Sequence, residues 1–268
     1  MYFKDFCLEK SKTLLMGILN VTPDSFYDGN LYFNQNLEHI FDELEKCDII
    51  DIGAESSRPG ALSITIDDEI DRIKQVLNHI KESKKYISID THKPEVASFC
   101  LNNGFNMIND ISGGRNIQMF EVASNYNVPI ILMHMQGSPK NMQNNPSYSD
   151  VIDELKFFFN ERINTALKYG VNIKNIIIDP GIGFGKTIDQ NDSIINNLDE
   201  FKFLNVPILI GLSRKSFLTY NKNKPKDRLE SSLAVTALAI NNGADIIRVH
   251  DINKSIEIIT IIDRILNK

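Results

Sequence analysis

Eight short apolar runs recur along the chain, and nearly every one ends in a polar group suited to binding or catalysis. They are LLMGILN to Asn20, DIIDI near Asp51, YISID to Asp90, NMIND to Asn109 and Asp110, VPIILMH to His134, NIIID to Asp179, VPILIGL before Ser213, and ADIIRVH to Arg248 and His250. The runs are short and rich in Ile and Val, as strands buried on both faces should be. A buried strand gains nothing by finishing in a carboxylate, amide or imidazole, because taking such a group out of water costs free energy. A strand that opens onto a shared ligand pocket does gain. The pattern predicts an enzyme before any single motif is read.

Between the runs lie stretches of helical period. Ile66, Ile70, Ile73, Leu77 and Ile80 recur every three or four residues, as do Ile152, Leu155, Phe159, Ile163 and Leu167. Pro94 suits a first helical turn and Gly170 a helix end. Further helices are expected over about 36–46, 94–103, 116–125, 190–202, 228–242 and 253–266. Eight strand–helix units in a chain of 268 residues predict one α/β domain, residues 1–268, folded as a (β/α)8 TIM barrel. The unit near 106–125 is the shortest. Two loops, 21–34 and 53–65, exceed the usual strand-to-helix length and are expected on the catalytic rim as substrate-covering loops.

Bulk properties remove several classes. A net charge of −6 gives no electrostatic support to nucleic-acid binding, so an anionic ligand needs local cations. No run approaches a membrane span, and the charged start MYFKDFCLEKSK lacks a signal-peptide core. Cys7, Cys47 and Cys100 form no C-x-x-C pair and read as reduced packing residues of a cytoplasmic protein. No H-E-x-x-H or cysteine cluster supports zinc.

The remaining polar groups are candidates. Arg248 and His250 stand two apart on the eighth strand and share a side, so both face the barrel mouth. An inward Arg there needs an anion, either a ligand or a carboxylate such as Asp251. Asp90 and Asp179 end strands three and six and can share a cation, bind a polar ring or act as acid and base. Asp179 opens Asp-Pro-Gly-Ile-Gly-Phe-Gly-Lys, whose end mimics a Walker A loop, but Pro180 stands where the first glycine is required. Lys215, in Ser213-Arg214-Lys215-Ser216, is a candidate electrophile or Schiff-base amine, while Arg214 suits a solvated turn. Asn20 can offer an oxygen to a hard cation and Asn109 a paired donor and acceptor, though either could cap a turn. His134 fits a ligand or a satisfied buried imidazole equally well.

The segments MGILNVTPDSFYDG (16–29), DIGAESSRPGA (51–61), ISIDTHKPEVA (87–97), MINDISGG (107–114), LMHMQGSPKNMQ (132–143), DPGIGFGK (179–186), GLSRKSF (211–217) and RVHD (248–251) together resemble the dihydropteroate synthases. They occur in family order over nearly the whole chain. The resemblance implies condensation of 4-aminobenzoate with 6-hydroxymethyl-7,8-dihydropterin diphosphate, giving 7,8-dihydropteroate and pyrophosphate with Mg²⁺, in folate biosynthesis. It implies a pterin site at Asp90, Asn109, Asp179 and Lys215, with Arg248 and His250 on the diphosphate and Arg248 also against the ring. It further implies Asn20 as the metal ligand, Ser57 and Arg58 as loop residues closing over the substrates, and Ser216 on the aminobenzoate carboxylate. The catalytic set is thus Asp90, Asp179, Lys215 and Arg58, and a homodimer is implied. Ala54 and Ser57 stand where the family usually has Gly and Thr. Two alternatives remain: a pterin-binding methyltransferase module serving a corrinoid protein, and a non-catalytic homologue that binds pterin without turnover.

Overall fold

The structure, a computed structural model, describes residues 1–22, 29–57, 60–80, 83–219 and 225–268, and for 29–36, 225 and 226 it describes the backbone alone. Eight parallel strands follow the eight apolar runs: β1 Leu14–Asn20, β2 Ile49–Gly53, β3 Tyr86–Asp90, β4 Met107–Asp110, β5 Ile130–Met133, β6 Ile176–Asp179, β7 Leu209–Gly211 and β8 Ile246–Val249. Their order is β6-β5-β4-β3-β2-β1-β8-β7. A single bridge between Ile178 and Ile208 closes the ring, with Ile178 N–H donating to the Pro207 carbonyl at 3.1 Å. Pro207 has no N–H to return, which keeps this pairing sparse. The fold is therefore the (β/α)8 barrel expected from the sequence.

Helices cover the outside: α1 Phe3–Lys10, α2 Gly29–Leu44, α3 Ile66–Lys74, α4 Leu77–Ile80, α5 Pro94–Leu101, α6 Gln118–Tyr126, α7 Val151–Lys168, α8 Ile188–Asn196, α9 Leu229–Asn241 and α10 Ile252–Leu266. Local chemistry sets several starts. Thr65 accepts from the Asp68 N–H, Asp150 accepts from those of Ile152 and Asp153, and Thr187 with Gln190 forms a reciprocal capping box. Pro94 occupies the first turn of α5. The short unit after β4 is complete.

Two helix boundaries differ from expectation, and one helix is additional to it. Helix α2 begins at Gly29, inside the loop predicted over 21–34, and residues 23–28 of that loop lie outside the described residues. The predicted helix 190–202 is instead α8 followed by a 3₁₀ segment, Leu198–Leu204. Helix α1 was not foreseen. It places Phe3, fully buried, under the barrel with Leu14, Met16, Ile49, Met107, Ile131, Ile177, Leu209 and Ile246. Phe3 meets Tyr86 edge-on at 5.1 Å, and its N–H donates to the Asn175 side chain at 3.1 Å. Burying such a ring is worth about 1.5–3 kcal/mol. The larger core lies between the sheet and the helices and includes Ile50, Ile52, Ile87, Ile89, Leu155, Phe159 and Phe201. Cys47 and Cys100 are buried there as free thiols. Among the described residues no helix is long and apolar enough to cross a membrane.

Candidate active site

The alternation of a strand explains where the polar groups go. Ile49, Met107, Ile177 and Ile246 pack inside the barrel. Residues two further along each strand share that side. They are Asp51, Asn109, Asp179 and Arg248. Strand register places them close to one level, with Asp51 opposite Ser88, Asp90 opposite Asn109, Asp179 opposite Met133 and Arg248 opposite Gly211. The apolar plug of the barrel thus gives way to a polar layer one pleat toward the C-terminal ends.

Arg248 organises that layer. Its Nε donates to Asp51 Oδ2 at 2.6 Å and its Nη2 to Asp90 Oδ2 at 2.7 Å. Asp251 is not its partner. That carboxylate instead binds Arg214 through two hydrogen bonds, so Arg214 is held rather than solvated as the sequence suggested. Asn109 donates to Asp51 Oδ2 at 3.1 Å. Asp51 is fully buried, and its Oδ1 has no hydrogen-bond partner among the described residues. Burial pushes Asp90 above the usual carboxylate range against the pull of Arg248, and Asp51 adds to the rise.

Asp179 is buried beside this group and accepts from the Gly181 N–H at 2.8 Å. Burial raises its carboxyl, while the charges of Lys215, Arg248 and Lys186 and the Gly181 hydrogen bond hold it down. Lys215 donates to the Ile182 carbonyl and lies 4.6 Å from the centre of the Phe184 ring. Burial lowers its ammonium to about 8, opposed by Asp179 and assisted by Arg248. The Gly-rich loop that follows Asp179 and meets Lys215 needs its glycine at position 181. Gly181 has φ +69°, and a Cβ there would stand 1.9 Å from the His134 carbonyl oxygen. Only glycine fits.

The other candidates lie around this layer. Asn20 ends β1, opposite Gly53, and is partly exposed. His250 faces Ser213, with 3.1 Å between Nδ1 and Oγ. Ser216 starts the 3₁₀ turn Ser216–Leu218. Ser57 lines a small cleft with Asp90, Thr91, His92, Ile111 and Pro139. Arg58 lies outside the described residues. The start of the Ser57 loop is anchored, since the Ala54 carbonyl accepts from Arg72 at 2.8 Å and Glu55 pairs with Lys93. Lys93 also donates to the fully buried Glu69 at 2.5 Å, so one ammonium joins both stems of the loop. Gly60 N–H donates to the Pro139 carbonyl at 3.0 Å.

Sequence reasoning missed Asp51 as a site residue. The signal was available in its two-residue offset from Ile49, the same parity that links Ile246 to Arg248. His134, left open as a ligand, is a buried imidazole hydrogen-bonded to Lys186. Among the described residues no group of three or more His, Cys, Asp or Glu side chains could hold a metal.

What the arrangement offers is a buried polar layer in which three carboxylates and an amide lie among the cations of Arg248, Lys215 and Lys186. A model of the family described as pterin binding enzyme matches residues 16–250. The chain belongs to the pterin-binding enzyme family. Within these pterin-binding enzymes it is 38% identical over 270 residues to the dihydropteroate synthase of Escherichia coli K12, covering 97% of this chain and 94% of that protein. The dihydropteroate synthase of Yersinia pestis, solved as a sulfonamide drug complex, superposes with a TM-score of 0.89 at 37% identity, covering 96% of both chains. That of Thermus thermophilus, solved with 4-aminobenzoate, gives a TM-score of 0.84 at 33% identity, covering 94% of both.

Proposed function

We infer that this protein is a dihydropteroate synthase, a transferase of folate biosynthesis that joins 4-aminobenzoate to 6-hydroxymethyl-7,8-dihydropterin diphosphate and releases pyrophosphate. The observation that carries the reading is the polar layer across the barrel mouth, in which Asp51, Asp90, Asn109, Asp179, Lys215 and Arg248 converge. We assign residues 1–268 to one pterin-binding domain, in keeping with the continuous barrel and with α1 packed into its base.

The site residues are assigned roles by their chemistry. A pterin edge carries an amino group beside a ring N–H, and Asp179, an acceptor with one oxygen not engaged by Gly181, matches that pair. Asn109 supplies a neighbouring donor and acceptor. Asp90 favours positive charge developing on the ring, and Lys215 flanks the incoming amine. Arg248 spends Nε and one Nη2 bond on Asp51 and Asp90, which leaves donors on its five-donor fork for the ring or the diphosphate. His250 is assigned to the diphosphate, Ser216 to the aminobenzoate carboxylate, and Ser57 and Arg58 to closure over both substrates. Departure of diphosphate from the pterin methylene leaves a cation that the electron-rich dihydropterin ring delocalises. The weakly nucleophilic aromatic amine then attacks that carbon and loses its proton. No covalent bond to the enzyme is needed.

Asn20 is the assigned Mg²⁺ ligand. A lone amide oxygen on a partly exposed strand end does not make a metal cage, but it suits an ion that keeps its waters and arrives on substrate phosphates. Bound there, Mg²⁺ would neutralise charge on the departing diphosphate. The chain's own cations, Arg248 and Lys215, act beside it. A cytoplasmic location accords with free cysteines. We assign a homodimer as the family resemblance implies, and the exposed Phe157, Ile188 and Phe203, on α7 and on the α8 and 3₁₀ segments packed against it, are surface that a second copy would cover. Sedimentation at micromolar concentration tests the dimer.

The decisive assay mixes both substrates with Mg²⁺ and follows pyrophosphate. Equimolar pyrophosphate and dihydropteroate are expected. Pterin binding without release would favour the non-catalytic homologue, and methyl transfer from a methylated pterin to a corrinoid protein would favour the methyltransferase module.

A further inference from the structure

Lys186 closes the Gly-rich loop yet has no part in the assignments above. Its side chain points inward and the residue is only 3% exposed. The Nζ donates to the Gly181 and Phe184 carbonyls at 3.0 Å each and to His134 Nδ1 at 3.1 Å, with the His134 carbonyl farther away at 3.4 Å. An ammonium has three N–H donors. Three close acceptors satisfy it. For this, His134 must be neutral with its proton on Nε2. Burial, with Lys186 and Arg115 nearby, drives the imidazole far below its usual range, so the Nδ1 lone pair is free to accept. Phe158 packs edge-on against that ring at 4.8 Å and fixes its plane.

Every acceptor belongs to a residue that also touches Asp179 or Lys215, His134 through its N–H on the Asp179 carbonyl at 2.9 Å. Gly181 gives its carbonyl to Lys186 and its N–H to Asp179. Ile182 gives its carbonyl to Lys215, and the Phe184 ring lies under the same amine. Lys186 thus pins the loop from inside on either side of the residues that hold Asp179 and Lys215. An apolar side chain of equal length would leave the Phe184 carbonyl and an imidazole nitrogen without the ammonium donor, and the Gly181 carbonyl with the Phe184 N–H alone.

We propose that Lys186 is a positioning residue of the pterin pocket, tying the loop after β6 to the end of β5 so that Asp179, Phe184 and Lys215 meet the ring in register. The inference deepens the dihydropteroate synthase reading and rests on it. Lys186 also adds charge. Asp179 is faced by Lys215 from the β7 loop, Arg248 from β8 and Lys186 from its own loop, and all three favour the carboxylate. Burial lowers the Lys186 ammonium to about 7, while Asp179 pulls it upward and Lys215 pushes it down.

The test compares wild-type enzyme with Lys186→Met. Calorimetry with the dihydropterin diphosphate should give a dissociation constant weaker by about tenfold, from loss of positioning and of one charge. The Michaelis constant for 4-aminobenzoate should change less than the pterin dissociation constant, since its carboxylate is assigned to Ser216 and Lys186 reaches the amine only through Lys215. The acid limb of pterin binding should move up by about half a pH unit, because Asp179 loses a cation and protonates sooner. Unchanged pterin affinity with the acid limb in place would overturn the assignment, whatever the melting temperature. Should Lys186→Met not fold, His134→Leu removes one acceptor and should move both readouts the same way by less; no movement would be equally fatal. Wild-type protein that neither binds pterin nor releases pyrophosphate would sink the functional reading itself, whereas an active wild type with an indistinguishable variant sinks only the role of Lys186.

Discussion

Arg248 holds two carboxylates inside the barrel, and the cost of removing each partner can be set against the other. Breaking a buried ion pair from one side costs about 3–5 kcal/mol, because the remaining charge is stranded. Asp51→Ala leaves Arg248 with Asp90 and belongs near the lower figure. Arg248→Met strands both Asp51 and Asp90 and belongs near the upper one. The double variant strands only Asp90, which burial already biases toward its neutral acid. It should lose about 4–5 kcal/mol, so the coupling energy is about 3–4 kcal/mol. For a chain of 268 residues, each kcal/mol moves the melting temperature by about 2 °C. The single variants should therefore melt about 6–10 °C lower and the double variant about as low as Arg248→Met. Urea unfolding of the ligand-free protein at pH 7 gives the three differences directly. Additivity within about 0.5 kcal/mol would mean that Asp51 and Arg248 do not share one network, and the geometry of the polar layer would have no energetic meaning.

Other substitutions probe the ligand side. Asp179→Ala removes a charged acceptor worth about 1.5–3 kcal/mol, so calorimetry should show pterin affinity falling by about ten- to hundredfold; unchanged affinity would refute the assignment. The Lys215 ammonium is lowered to about 8, and its charged form is the one that serves an anionic substrate. As pH rises through that value the proton leaves, so kcat/KM for the dihydropterin diphosphate should fall on the alkaline side; a rate flat to about pH 9.5 would exclude the role. Arg58→Ala should reduce kcat more than it weakens pterin binding, because closure follows docking of the ring. Equal losses in a stopped-flow and binding comparison would put Arg58 in the static pocket.

The strands were legible because each is a short Ile/Val-rich run between helical stretches. Most of the polar layer was legible for a related reason: Asp90, Asp179 and Arg248 sit at strand ends where burial without a ligand has no benefit. Asp51 stands near the end of its run, yet Ile52 and Gly53 follow it and nothing local marks it for the site. Its role depends on side-chain parity rather than on position. Helix α1 escaped because half of its eight residues are charged. Only Phe3 is fully buried there, and one buried ring gives a weak periodic signal. Arg214 and Lys186 escaped for another reason. Their partners, Asp251 and His134, are 37 and 52 residues away, and local sequence says nothing of such meetings.

The ring of strands is joined between β6 and β7 by one bridge, at a proline that cannot donate. Asp179 stands on one bank of that seam and Lys215 just past the other. A flat ligand gripped by both would act as a rivet across the weakest stitch of the barrel. Substrate occupancy and mechanical integrity are thereby joined, and slowed amide exchange along Ile208 to Gly211 should report the arrival of the ring.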